Sequence, residues 1–567
     1  MSDKLESLNP ATGDVVGVHA VDDPASVDAA VARARHAARW WVSGTFDERR
    51  QVLDQWSGVL TRRMAQLADV VHQETGKPHG DAQLEIGLAI EHLSWAAAHA
   101  GKVLGRRRVP SGLLMANQAA TVEYLPLGVI GVIGPWNYPV FTPMGSIAYA
   151  LAAGNAVVFK PSELTTGVGV WLADSLSEVL PDQALLQTVV GYGETGAALC
   201  RADIDKVAFT GSTATGRKVM AACAESLTPV VIEAGGKDAL LVDEDADVVA
   251  AADAAAWGAF SNAGQTCTGV ERVYVHERVH DRFVEELARR ARRVHAGTDA
   301  DAQLGPMTLP GQVDVVRRHI DDALSRGGRA VVGGPEAVEG RFIQPTVLVD
   351  VPEDSTAVTE ETFGPTVTVA RVRDMDEAVR LANGTSYGLG STVFSRSRGP
   401  ELARRLRSGM TAVNGVISFV GIPSLPFGGV GDSGFGRVHG PDGLKEFAYA
   451  KAVARQRMRP LLALTTFDRT AKADASFAAL VTALHGRASQ LVGRPLDLRY
   501  VSRGAGQVQR RSGQQLTKAA SVADRMPFTV VVEVREDLPP GPLPLADPVR
   551  PPRQVPVGVG PAVQVVR

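Results

Sequence analysis

Three cysteines occur in the 567 residues, Cys200, Cys223 and Cys267, and only the last stands where a thiol could react. It closes Ser261-Asn262-Ala263-Gly264-Gln265-Thr266-Cys267, a turn of small residues after an alanine-rich helical run. A nucleophilic thiol needs access and thiolate character, and small neighbours let a substrate carbonyl come close. Composition alone favours the alternative of a buried structural cysteine. Cys200 and Cys223, each inside an apolar or alanine-rich helical pattern, fit that alternative. Upstream, Glu233 ends a strand-like run and is followed by Ala234, Gly235, Gly236 and Lys237. A carboxyl among apolar and small residues has its pKa raised by desolvation and can serve as a general base, although a strand-end glutamate is more often simply solvated. Pro135-Trp136-Asn137-Tyr138-Pro139 is a loop stiffened by two prolines, from which the Asn137 amide could donate to a developing oxyanion. A rigid aromatic turn is the competing reading.

The conjunction is more specific than its parts. Asn137, then Lys160-Pro161-Ser162-Glu163, Phe209-Thr210-Gly211-Ser212, Glu233 with its glycines, Gly264-Gln265-Thr266-Cys267 and Glu361-Thr362-Phe363-Gly364-Pro365 resemble the aldehyde dehydrogenase superfamily in order and spacing. Glu233 and Cys267 are 34 positions apart, the separation of that family's base and nucleophile. Asn383 to Leu389 and Pro426 to Arg437 extend the likeness, which covers about residues 5 to 457. It implies Cys267 as nucleophile, Asn137 with the Cys267 backbone N–H as oxyanion hole, and Glu233 as the base that hydrolyses a thioester. The expected reaction is NAD(P)-dependent oxidation of an aldehyde to a carboxylic acid. A CoA-acylating relative is the nearest alternative, and Glu233 argues against it because that subgroup generally lacks the base. A non-enzymatic binding protein would leave the Asn137, Glu233 and Cys267 set unexplained.

For the cofactor, Gly191-Tyr192-Gly193-Glu194-Thr195-Gly196 has the form G-x-G-x-x-G, but the ribose-binding acid expected about twenty residues on has no obvious strand end to occupy. The resemblance places the pyrophosphate at the later turn Gly211 to Gly216, with Ser212, where a helix begins. It gives Lys160 and Glu163 to the adenosine ribose, Glu361 to the nicotinamide ribose, and Trp136 and Phe363 to the cofactor site. Glu163 favours NAD, since a carboxylate repels a 2′-phosphate, with NADP as the alternative. Two departures bear on substrate. Ser146 replaces a lysine found in many members nine residues after the asparagine, and Ser261 replaces the arginine with which succinate-semialdehyde members bind a distal carboxylate.

These residues need elements to position them. Apolar residues recur at helical spacing over Asp28–Trp41, Phe46–Glu74 and Gln83–Ala100. From Val129, strand-like runs (Val129–Ile133, Ala156–Phe159, Leu186–Val190, Val207–Phe209, Val230–Ile232) alternate with helix-like ones (Gly167–Val179, Gly216–Ala224), the pattern of a doubly wound α/β domain. A second alternation follows, with strands at Arg272–Val275, Thr366–Val372 and Thr392–Phe394 and helices at His280–Val294, Gln312–Ser325 and Met375–Ala382. The expected fold is therefore α/β. With the resemblance it becomes a Rossmann-type cofactor domain (1–104 and 125–234), an α/β catalytic domain (235–438) and a β oligomerisation arm (105–124 and 439–458) of a homodimer or homotetramer. Residues 459–567 are a C-terminal extension, with a helix expected at Ala475–His485 and a strand at Phe528–Val534. Nine of its last thirty residues are proline, which predicts solvated chain.

Bulk composition excludes other classes. Charged residues make up 21%, with a formal net charge of −3, so no basic field invites nucleic acid or an anionic membrane. No two cysteines are spaced as a metal pair, so no metal site is expected, and the odd count suits a reducing compartment. The polar start, Met1 to Pro10, lacks the apolar core of a signal peptide, and a cytoplasmic enzyme is the expectation. The stretch between Glu123 and Lys160 holds no charge, yet its glycines and prolines mark buried strands rather than a membrane span.

Overall fold

The charge-free stretch supplies the centre of a sheet. In a computed structural model, which describes residues 4–299, 301–460 and 462–486, Val129–Ile133 pairs in parallel with Ala156–Lys160 on one side and Lys206–Gly211 on the other. Val129, Ile130, Val157 and Val158 are wholly buried. A strand covered on both faces has no polar face to alternate, which is why its sequence reads as a continuous apolar run. The full order of this six-stranded sheet is Gly434–Phe435, Val230–Ala234, Lys206–Gly211, Val129–Ile133, Ala156–Lys160 and Leu186–Thr188, with only Gly434–Phe435 antiparallel. The chain enters at Val129–Ile133, builds outward to Leu186–Thr188, then returns to the other side. The order thus reverses between Val129–Ile133 and Lys206–Gly211, and an open α/β sheet binds its ligands at such a switch, beyond the carboxyl ends of the strands.

A seven-stranded sheet follows, in the order Arg329–Val332, Thr346–Val349, Thr366–Val372, Val270–His276, Asp238–Val242, Ser391–Phe394 and Ala412–Val413. All its pairings are parallel except that of Arg329–Val332. The expected helices at Gln312–Ser325 and Met375–Ala382 fall on those residues. A third sheet joins distant segments, with Ala448–Gln456 antiparallel to Gln118–Pro126 along its whole length and Arg107–Val109 on the other side. The two stretches read as extended therefore pair with each other.

The N-terminal helices carry strong start signals. Pro24–Ser43 begins with Asp23 accepting from the Ser26 N–H at 2.8 Å and a proline in its first turn. Phe46–Arg62 begins with the Thr45/Glu48 capping box. The expected single helix over Phe46–Glu74 is two, Phe46–Arg62 and Met64–Thr75, because Arg63 leaves helical backbone at φ −108°, ψ 16°. No glycine or proline marks that break, so the apolar periodicity runs through it unaltered.

By contact, residues 1–461 form one unit and 462–567 another. In the second, the expected helix starts four residues earlier than its apolar pattern, at Ala471–His485, with Thr470 as its N-cap. The strand expected at Phe528–Val534 and the proline-rich end lie outside the described residues. Among the described residues no helix is long and apolar enough to cross a membrane.

Candidate active site

Cys267 is delivered by a turn that only certain residues can make. The helix Val248–Phe260, capped by Asp247, ends at Ser261. Asn262, Ala263 and Gly264 then take left-handed backbone with φ of 54°, 54° and 70°. Asn262 and Ala263 bear the steric cost of that region, so their surroundings must hold them there. The Asn262 amide does so by donating to the carbonyls of Asn137 (3.0 Å) and Gln265 (3.1 Å). Gly264 must be glycine, because a Cβ there would stand 2.1 Å from the backbone of Gly364. The cysteine turn is thereby packed on the Glu361–Pro365 loop.

Asn137 is 5% exposed and donates one amide N–H to the Gln265 carbonyl at 2.9 Å. Its second N–H remains for a ligand. The loop that carries it is fixed by a buried ion pair that composition and spacing did not reveal. Lys77 Nζ bonds Glu85 and donates to the Asn137 carbonyl at 2.9 Å, while Glu85 Oε1 accepts from the Val140 N–H (2.7 Å) and Phe141 N–H (3.1 Å). Tyr138 stacks under the Lys77 ammonium and shares a hydrogen bond with Thr266 at 3.0 Å.

Glu233 ends the strand Val230–Ala234 and accepts from the Thr210 hydroxyl at 3.0 Å through Oε2. Its Oε1 is buried without a hydrogen-bond partner. Burial, against the smaller opposing effects of Thr210 and Cys267, pushes its pKa up to about 7. Burial and the nearby Glu233, Glu361 and Asp238 carboxyls also push the Cys267 thiol well above its ordinary value. The resting thiol is therefore protonated and needs a base, and Glu233 is close enough to influence it. No residue with a side chain could replace Gly236 here, since a Cβ would lie 2.5 Å from the Cys267 carbonyl oxygen.

The residues expected around a dinucleotide fall at the switch point or face it. Trp136 follows the strand Val129–Ile133, and its ring meets that of Phe363 edge-on at 5.5 Å. Glu361 accepts from the Gly236 N–H at 3.0 Å, and burial raises its pKa to about 8. Ser212 caps the helix Thr213–Ala224, whose first turn has no acidic residue, directly after Gly211, leaving a helix N-terminus suited to phosphate. Gly216 lets that helix lie close on its sheet, a Cβ there standing 3.2 Å from Ile232. Buried Lys160 meets half-exposed Glu163 at 3.4 Å. These features fit the group. By contrast, the Gly191 turn follows the outermost strand, Leu186–Thr188, and is occupied with Asp22, which accepts from the Val190 N–H at 2.7 Å. A second buried pair was also not foreseen: Lys237 bonds Glu271, whose carboxylate accepts from the N–H groups of Thr362 (2.8 Å) and Phe363 (2.9 Å). It sets the Glu361–Phe363 loop, where Phe363 itself has φ +50°.

Cys200 and Cys223 are buried in their helices, in line with structural roles. Cys267 and Glu233 line a cavity of about 90 Å³ whose wall includes Leu84, Leu88, Phe141, Trp257, Ile417 and Val420. No lysine or arginine is in it, and Asp81 is. Among the described residues no cluster of His, Cys, Asp or Glu could hold a metal ion.

Sequence comparison decides the family. Residues 1–453 match the Aldehyde dehydrogenase family. The chain belongs to it. The chain is also 37% identical to a 4,4'-diapolycopene aldehyde oxidase of Methylomonas sp, over 86% of this chain and 92% of that one. It is 36% identical to a putative succinate-semialdehyde dehydrogenase [NADP(+)] 2 of Mycobacterium ulcerans (strain Agy99), over 76% and 85%. A crystal structure of an NAD-dependent aldehyde dehydrogenase from Sinorhizobium meliloti superposes with TM-score 0.77 at 33% identity, covering 82% of this chain and 93% of that one. The α/β architecture is that of this family, and the chain is an aldehyde-oxidising enzyme. The first of these matches covers more of the chain than residues 1–461 make up, so it reaches into the C-terminal unit.

Proposed function

We propose that this aldehyde dehydrogenase converts a neutral, largely apolar aldehyde to its carboxylic acid through a thioester on Cys267, using NAD or NADP. The cavity carries the substrate reading: apolar walls, no cation, and Asp81 as a charged neighbour. A semialdehyde with a distal carboxylate would enter unpaired and be repelled. Ser261, where an arginine would bind such a group, agrees with this.

Glu233 takes the thiol proton, the sulfur adds to the aldehyde carbon, and the resulting oxyanion is held by the free Asn137 N–H and the Cys267 backbone N–H. Trp136, Lys160, Glu163, Gly211, Ser212, Gly216, Glu361 and Phe363 would hold the dinucleotide, whose chemistry when bound is to accept the hydride. Glu233, once it has released the thiol proton to solvent, deprotonates through its unpartnered Oε1 the water that cleaves the thioester. Relatives named for NAD and for NADP support either cofactor.

This reading takes 1–104 and 125–234 as the cofactor domain, 235–438 as the catalytic domain, and 105–124 with 439–458 as the arm of a cytoplasmic homodimer or homotetramer. The exposed strand Ala448–Gln456 supports the arm. The decisive experiment is Cys267→Ala: aldehyde-dependent NAD(P)H formation is expected to vanish while cofactor binding, read by fluorescence titration, persists. Turnover in that variant would sink the assignment.

A further inference from the structure

Two polar atoms in the cavity wall have no part in the chemistry and no partner. Nδ1 of His439 and the hydroxyl of Ser261 are both buried and unpaired, in residues that line the cavity beside Cys267. Buried polar groups are normally satisfied, so a pair of exceptions in one ligand cavity calls for a reason.

The His439 ring is held in place from several sides. It lies 3.9 Å from the ring of His92, whose own nitrogens are engaged by the Tyr149 hydroxyl (3.3 Å) and the Val420 carbonyl (3.0 Å). Phe141 and Phe427 pack around it at 5.6 and 5.4 Å. Gly145 makes room for it, since a Cβ there would stand 2.5 Å from Nε2. Its backbone has φ +63°, a conformation unusual for a residue other than glycine. Burial and the neighbouring His92 keep the imidazole neutral. A neutral ring can give or take one hydrogen bond without bringing charge into an apolar wall. Ser261, at the end of the helix that also presents Trp257, offers a hydroxyl able to do the same.

We infer that His439 and Ser261 recognise an uncharged oxygen, a hydroxyl or carbonyl, on the body of the aldehyde, so that the enzyme selects apolar aldehydes bearing one such group over purely hydrocarbon ones. This rests on the aldehyde-oxidising reading above and narrows its substrate class.

Isosteric pairs test it: 4-(hydroxymethyl)benzaldehyde against 4-ethylbenzaldehyde, and the corresponding 3-substituted pair. The wild-type enzyme should favour the hydroxymethyl member in at least one pair by about ten-fold in kcat/KM, the size of one net buried hydrogen bond, and chiefly through KM. His439→Phe should bring that ratio to one or below, and Ser261→Ala should lower it. His439→Asn keeps a donor and an acceptor in a smaller side chain, so it should retain part of the preference and serves if the Phe variant does not fold. A wild-type ratio of one or less in both pairs overturns the inference. So does an equal loss on both members of a pair in the His439 variants, which would mark a structural role. Absence of turnover on every aldehyde in the wild type would instead count against the underlying activity.

Discussion

At the scale of single residues, the site sets two carboxyl-linked problems against each other. Burial, with the carboxyls around it, holds the Cys267 thiol protonated, and one of them, Glu233, is itself half-protonated near neutrality. Activity should therefore rise with pH through an apparent pKa near 7 as Glu233 becomes available as a base. In Glu233→Gln both the first-turnover burst of NADH and steady-state turnover should fall, the latter further, and that pH limb should disappear. The stability effect has the opposite sign. Glu233 titrates near 7 when folded and near its ordinary 4.5 when unfolded, so its contribution is fully favourable below about 4.5 and is lost as pH rises to 7. The loss amounts to roughly 3 kcal/mol at 1.4 kcal/mol per pKa unit. Thermal melts of Glu233→Gln and wild type should then differ more at pH 8 than at pH 5, with the variant gaining. Equal differences would mean that Glu233 is not buried as an acid. Asn137→Ala should reduce kcat by about 10²–10³-fold, the usual worth of an oxyanion donor, with little change in cofactor affinity. An effect confined to cofactor binding would favour the rigid-turn reading.

At the scale of elements, the reactive loops are short and their precision comes from buried ion pairs beneath them. Lys77 and Glu85 tie the Asn137 loop to the start of the helix His79–Leu104, and Lys237 with Glu271 ties down the Glu361 loop. Removing one partner of such a pair leaves the other charge buried and alone, at a cost of about 3–5 kcal/mol. Glu85→Ala should lose about that much in urea denaturation and also lower kcat. The double variant Lys77→Met/Glu85→Leu separates the two roles. It should recover much of the stability, because no lone charge remains, yet not the rate, because the Asn137 carbonyl has lost its Lys77 donor and the Val140 and Phe141 N–H groups their acceptor. Full recovery of kcat would show that the pair does not position the loop.

At the scale of the molecule, the residues proposed for catalysis and cofactor binding all fall within residues 1–461, one contact unit, and the family match ends at 453. A chain ending after Pro460 is expected to remain soluble and to keep its turnover within about two-fold, since no residue assigned to the chemistry is removed. The match to the diapolycopene aldehyde oxidase reaches beyond 461, which makes the substrate used in that assay matter. Loss of turnover on the larger apolar aldehydes, with small ones still oxidised, would assign the C-terminal unit a part in handling substrate.

The sequence by itself determined the strands Val129–Ile133 and Thr366–Val372 and the helices Gln312–Ser325 and Met375–Ala382, because an apolar run marks a strand buried on both faces and helical spacing marks a helix buried on one. It also marked Asn137, Glu233 and Cys267, because six motifs in one order carry more information than any single residue. It did not reveal the break at Arg63, where apolar spacing continues unaltered across a change of backbone. Nor did it reveal Lys77 with Glu85, Lys237 with Glu271, or that His439 and Ser261 line one cavity. A lone charged or polar residue looks the same in sequence whether solvated or buried. Only tertiary structure decides which of them lose water, what they then bond to, and which are left without a partner.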